Sequence, residues 1–225
     1  MFTMKQSNSF NIIRVGVICF LLLSVFCQGG AQIKLFGGLS IPMSDLASID
    51  SASGGFARPG FSLGIEYVSK FLFDIDVGVS GILSYYPVDV KAMLNSQPHI
   101  PMGSPIKSGP WILFWPTASA GYTYPISENV KTYCRAHAGF IYGVLPEITV
   151  VETGTTKFTR NFSIEVAFGW GASTGITLSD KYNFEIRFMA SRPQYELNTP
   201  VGGVTNTSKL TIDTKTIQFT IGYIL

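Results

Sequence analysis

The sequence predicts an all-β protein, a single up-and-down antiparallel transmembrane β-barrel of about eight strands. Three observations predict it. From Ile33 onward, apolar and polar side chains alternate with a period of two nearly everywhere, the period of a strand with two unlike faces. The connections between the alternating segments run short, long, short, long, which puts every long loop of an antiparallel meander at one end. Charged residues make up 13% of the 225-residue chain, against about 25% in ordinary soluble domains. The polar face is instead Gly, Ser, Thr and Ala with sparse charges, which suits a narrow interior better than a water-facing exterior.

The chain opens with a segment that is not counted as fold. Lys5 and Arg14 form a positive region, Val15 to Cys27 an apolar one, and Gly29 to Ala31 supply small residues. This pattern predicts a signal peptide over residues 1–31, cleaved before Gln32, and hence export. A lipoprotein reading of Cys27 is disfavoured by the Val25 and Phe26 that precede it. Cys19 and Cys27 leave with that segment, so Cys134 remains alone and no internal disulfide is expected. Without Lys5 and Arg14 the chain carries 14 basic and 14 acidic residues. That balance excludes the basic patch of a nucleic-acid binder.

The predicted strands follow in order. IKLFGGLSIP opens the set, and GFSLGIEYV sets Phe61, Leu63, Ile65 and Tyr67 against Ser62, Gly64 and Glu66. FLFDIDVGVSGILSYY sets Phe71, Phe73, Ile75, Val77, Val79, Leu83 and Tyr85 against Asp74, Asp76, Gly78, Ser80 and Ser84. WILFWPTASAGYTY is apolar on both faces from Trp111 to Trp115, and Pro116 predicts a bulge there. VKTYCRAHAGFIY carries Lys131, Arg135 and His137 on its polar face, NFSIEVAFGWGAS carries Glu165, and YNFEIRFMAS carries Glu185 and Arg187. TIQFTIGYIL closes the set, in pattern to its last residue. No convincing amphipathic helix is present. Ser69-Lys70, Pro125 to Asn129 and Ser179 to Lys181 read as tight turns, while 42–60, 87–110, 145–161 and 192–209 read as long loops.

Two considerations place the apolar face outward. Tyr67, Tyr122, Tyr124, Tyr182 and Tyr223 gather near the short-turn end, and Phe61, Tyr85, Tyr142 and Phe162 near the other, as two interfacial girdles. Closure also satisfies every strand edge, as hydrocarbon requires, and makes the final strand the partner of the first.

On the signal ending in GAQ, the GGLSIP first strand, the short ISENV and LSDKYN turns and the closing strand, the chain resembles the small outer-membrane β-barrel proteins of the OmpA/OmpX type. The resemblance covers residues 32–225. It implies residence in the outer membrane of a Gram-negative bacterium, among lipid, with delivery by periplasmic chaperones and the barrel-insertion machinery. It also implies that Gly222, Tyr223 and Leu225 form the assembly signature of the last strand, Leu225 standing where the family has Phe.

The charges on the polar face, Glu66, Asp74, Asp76, Lys131, Arg135, His137, Glu165, Glu185 and Arg187, are expected to form a polar network that plugs the lumen. The expected role is non-enzymatic: a scaffold whose long loops serve surface integrity, adhesion or recognition, with possible contact to an extracellular partner. The alternatives are a barrel enzyme modifying lipid, a porin-like channel for small solutes, or a soluble barrel carrying an apolar ligand. No cofactor or metal is expected, since His99 and His137 are far apart in sequence and no G-x-S-x-G elbow is present.

Overall fold

The fold was obtained as a computed structural model, which describes residues 31–50, 54–71, 75–96, 106–151, 157–160, 163–201 and 204–225. Phe73, Asp74, Pro98, His99, Phe162 and residues 1–30, on which the signal-peptide expectation falls, lie outside the described residues.

Among the described residues thirteen strands follow in chain order: β1 (Gln32–Met43), β2 (Gly60–Lys70), β3 (Ile75–Tyr86), β4 (Ile106–Ser108), β5 (Trp111–Ser127), β6 (Val130–Leu145), β7 (Ile148–Val151), β8 (Lys157–Arg160), β9 (Ser163–Leu178), β10 (Tyr182–Ser191), β11 (Gln194–Val201), β12 (Val204–Thr211) and β13 (Thr214–Ile224). Eight of them close into one antiparallel barrel in the order β1-β13-β10-β9-β6-β5-β3-β2. The others lie in the long connections, as a β11-β12 hairpin and a β4-β7-β8 sheet. The seam pairs β1 with β13 from Lys34↔Ile224 to Met43↔Lys215, and the Leu225 N–H donates to the Ile33 carbonyl at 2.9 Å.

The period-two pattern becomes geometry directly. Along β3, Asp76, Gly78, Ser80 and Ser84 are buried, while Ile75, Leu83 and Tyr85 are exposed. Along β13, Thr216, Gln218, Thr220 and Gly222 face in, while Phe219, Ile221 and Tyr223 face out. Cys134 is exposed on the outer face of β6. A belt of exposed Ile, Leu, Val, Phe and Tyr thus surrounds a largely polar lumen, the reverse of a soluble barrel.

Several sequence expectations change. The β5–β6 pairing skips Trp115 and Pro116 but keeps the same register on either side of them, and the register shift falls between Pro125 and Ser127, beside the turn, where the ladder tolerates an extra residue. The first short turn is not Ser69-Lys70, because β2 continues through Lys70 to pair with Asp76. The 192–209 stretch is the β11-β12 hairpin, not an irregular loop. A helix, α1 (Val90–Ser96), interrupts the 87–110 connection. Its seven residues are too few to show a helical period, and Asp89 caps it by accepting the Ala92 N–H at 3.0 Å.

The untidy Trp111–Trp115 segment has a simple resolution. Trp111, Leu113 and Trp115 all point inward, where they pack with Ile82, Tyr86, Ile141, Leu145 and Met189. Leu46, Tyr195 and Ile212 from the long connections complete this cluster from above. Trp111 Nε1 donates to the Gly55 carbonyl at 2.7 Å, fastening the 44–59 connection onto the barrel mouth. The lumen therefore has two storeys, an apolar one at the long-loop end and a charged one at the short-turn end.

Candidate functional site: the charged lumen and its vestibule

The lower storey is built by β1, β2, β3, β6 and β10, each of which turns one or two ionic side chains inward. Lys34 Nζ lies 2.6 Å from Glu66 Oε2 and 2.6 Å from Glu185 Oε2. Arg187 Nε lies 2.6 Å from Glu185 Oε1, with its Nη2 3.6 Å from Glu66 Oε1. Arg135 bridges Glu66 and Asp76 at 3.4 and 3.5 Å. The Tyr133 hydroxyl donates to Glu185 Oε2 at 2.6 Å, and its ring lies 4.2 Å below the Arg135 guanidinium. The Phe36 ring carries Lys34 at 5.2 Å and Arg187 at 5.0 Å.

Two glycines make room for that ring. A Cβ on Gly64 would come 2.3 Å from Phe36 Cζ, and one on Gly222 would press on the Phe36 and Lys34 side chains at 3.1 and 3.2 Å. Three buried cations, Lys34, Arg135 and Arg187, thus face three buried carboxylates, Glu66, Asp76 and Glu185. Removing one partner from such a set strands a charge at a cost of about 3–5 kcal/mol.

The structure brings together Glu66, Asp76, Arg135, Glu185 and Arg187, and places His137 just above them. It does not bring in Lys131, which pairs with Asp180 at 2.6 Å on the short-turn rim. Glu165 stands half-buried near the long-loop end of β9, opposite Gly143, far along the strand from the cluster. Asp74 lies outside the described residues. The residue that sequence reasoning misses is Lys34, which ties Glu66 to Glu185. The signal was present, since Lys34 is the polar, inward member of the period-two alternation between Ile33 and Leu35. Of the closing residues, Gly222 faces the lumen. Tyr223 meets Tyr182 edge to face at 5.8 Å on the outside, and Leu225 is 70% exposed.

His137 Nε2 lies 2.8 Å from Ser173 Oγ, the geometry of a base beside a hydroxyl. Its Nδ1 has no hydrogen-bond partner among the described residues, so the third, orienting acid of a hydrolytic triad is missing there. Among the described residues no group of three or more His, Cys, Asp and Glu is placed to hold a metal ion.

Below the cluster the lumen opens at the short-turn end into a vestibule of about 480 Å³, lined by Gln32, Val68, Ser69, Lys70, Asp76, Tyr122, Thr123, Pro125, Lys131 and Arg135. Lys70 reaches Asp76 Oδ1 at 2.7 Å from the rim, and the Thr123 hydroxyl donates to Asp76 Oδ2.

Among solved structures the chain is similar in fold to small outer-membrane barrels. It resembles Neisserial surface protein A (NspA) at 15% identity, over 87% of this chain and 98% of that one, with a TM-score of 0.47. It resembles Ail, the attachment invasion locus protein of Yersinia pestis, at 13% identity, over 88% and 99%, with a TM-score of 0.47. It also resembles the outer membrane protein OprG from Pseudomonas aeruginosa at 13% identity, over 89% and 98%, with a TM-score of 0.43. No protein-family model matches the chain, and no curated protein sequence matches it.

Proposed function

We propose that the protein is a non-enzymatic integral barrel of the outer membrane of a Gram-negative bacterium, closed along its lumen, with its long connections displayed at the cell surface for integrity, adhesion or recognition. The observation that carries this reading is the inverted polarity of the barrel. Leu35, Leu63, Ile65, Phe168, Trp170, Ile186 and Ile221 stand exposed on the outside, while Glu66, Glu185 and Arg187 are buried within.

On β9 the exposed apolar positions run from Ile164 to Leu178. At about 3.3 Å per residue and a tilt of about 40°, that stretch spans roughly 35 Å along the barrel axis, enough to cross a hydrocarbon core of about 30 Å. The ion-paired lower storey and the Trp111–Trp115 cluster both fill the interior, which supports a closed lumen. The scaffold role draws on the long connections, three of which contribute strands to two small sheets beyond the barrel.

Cell fractionation tests the location. The protein is expected in the outer-membrane fraction, extracted only by detergent and heat-modifiable on gels; recovery in a periplasmic wash would overturn it. Planar-bilayer recording tests the closed lumen, since a stable, large conductance is incompatible with it. Incubation with labelled outer-membrane lipid is expected to leave the lipid unmodified.

A further inference from the structure

We propose that the vestibule at the short-turn end is a binding site for a small soluble anion bearing a carboxylate or phosphate group, with Arg135 as its anchor. Its volume of about 480 Å³ lies within the roughly 300–1,000 Å³ of small-molecule sites. Three cations line it, Lys70, Lys131 and Arg135, against one carboxylate, Asp76. Asp180, the partner of Lys131, lines a smaller annex beside it.

Of the three buried cations, Arg135 is the one that both lines the vestibule and has a donor left over; Arg187 Nη1 and Nη2 also lack a hydrogen bond among the described residues, but Arg187 does not line the vestibule. Lys34 and Arg187 each hold a carboxylate at 2.6 Å, whereas the Arg135 contacts to Glu66 and Asp76 are 3.4 and 3.5 Å. Its Nε has no hydrogen-bond partner among the described residues, although the residue is only 8% exposed. A guanidinium offers five N–H donors in a planar fork that matches a carboxylate or phosphate edge to edge.

Lys70 and Lys131 stand on the rim with side chains 41% and 35% exposed, so each can turn from its aspartate toward a ligand. Thr123 and Gln32 add neutral polar groups. Asp76 restricts the site to one anionic group, because its own charge is held by Lys70 and Arg135 within the same cleft. A cation would meet three like charges there. The site belongs to the barrel mouth and does not depend on which membrane surrounds it.

The test is calorimetric titration of the full chain in phosphatidylcholine nanodiscs with inorganic phosphate and, separately, acetate. Saturable one-to-one binding of at least one anion is expected. K131Q and K70Q should each weaken it by roughly two- to fivefold, the worth of one partly exposed ion pair, and R135Q should abolish it. R135Q can fail to fold by stranding Glu66 and Asp76, so the two rim variants carry the test where it does.

No saturable binding of either anion, or dissociation constants unchanged in both rim variants, would overturn the proposal. The titration is repeated in phosphatidylglycerol nanodiscs. An unchanged constant there supports a soluble ligand, and loss of binding shows that a lipid headgroup takes the site instead, which overturns the soluble source.

Discussion

Lys34 holds Glu66 and Glu185 together: its ammonium lies 2.6 Å from an oxygen of each, so two carboxylates from β2 and β10 share one cation on β1. Replacing it with an apolar side chain leaves both carboxylates buried and facing each other. Lys34→Met is expected to destabilise the barrel by about 3–5 kcal/mol, measured by urea unfolding in detergent micelles. Adding Glu66→Gln to Lys34→Met removes the stranded charge and should recover a substantial part of the loss. A simple sum of the two single effects would show that the three side chains do not act as one unit.

Trp111 is the fastening of the 44–59 connection. Trp111→Phe keeps a six-membered aromatic ring within the apolar storey and removes the hydrogen bond to Gly55 together with the smaller ring of the indole. The hydrogen bond alone is expected to account for about 0.5–1.5 kcal/mol of the loss. Trp111→Ala also opens a cavity beside Leu113 and Tyr195 and should cost about 3–5 kcal/mol. Comparing limited proteolysis of the two variants near Gly54 and Gly55 separates the fastening from the packing.

Truncation before Tyr223 removes the Tyr182 contact, the Lys34↔Ile224 pair and the Leu225 N–H bond to Ile33. The lower end of β1 then keeps β2 on one edge and loses β13 on the other. Assembly should be blocked, read as loss of the heat-modifiable band in the membrane fraction. Normal insertion of the truncated chain would show that the upper part of the seam is enough.

Asp89 gives the surface a pH dependence of known sign. The Ala92 N–H that it accepts, and Arg58 at 2.8 Å, hold its carboxyl below the ordinary aspartate value of 3.8. A folded-state pKa below the unfolded one means that the cap's contribution is present above about pH 4 and lost as pH falls through the folded value. The protection factor of the Ala92 amide, taken against its intrinsic exchange rate at each pH, should therefore fall on acidification below pH 4. In Asp89→Asn that acid-dependent change should be absent.

The barrel strands were legible because a strand's face is decided by period two alone. The same rule puts Glu66, Asp76, Arg135, Glu185 and Arg187 on the inward side without reference to any distant residue. What the rule cannot give is height and company. Whether Glu165 and Lys131 reach the cluster depends on the stagger between strands, which no local pattern encodes, and both stand away from it. The Trp111–Trp115 stretch looks irregular because its inward residues meet Leu46, Tyr195 and Ile212. Those partners become visible only once the long connections fold back over the mouth. The β11-β12 hairpin hides for a related reason, since its alternation is confined to Gln194-Tyr195-Glu196-Leu197 and the Asn198, Thr199, Pro200 and Gly202-Gly203 that follow read as a loop.

The seam between β1 and β13 has a consequence for the order of biosynthesis. Lys34 and Glu185 are 151 residues apart in sequence yet share a hydrogen bond, and the first barrel strand pairs with the last. While the chain is being made, β1 has only β2 to hold on one side, and its other edge stays raw until the final residues emerge. Contacts of such long separation form late, and every shorter nascent chain carries an apolar sheet face and an open edge prone to aggregation. Closure therefore waits until β13 has been made, and the interval before it is when the polypeptide most needs to be kept apart from its own copies.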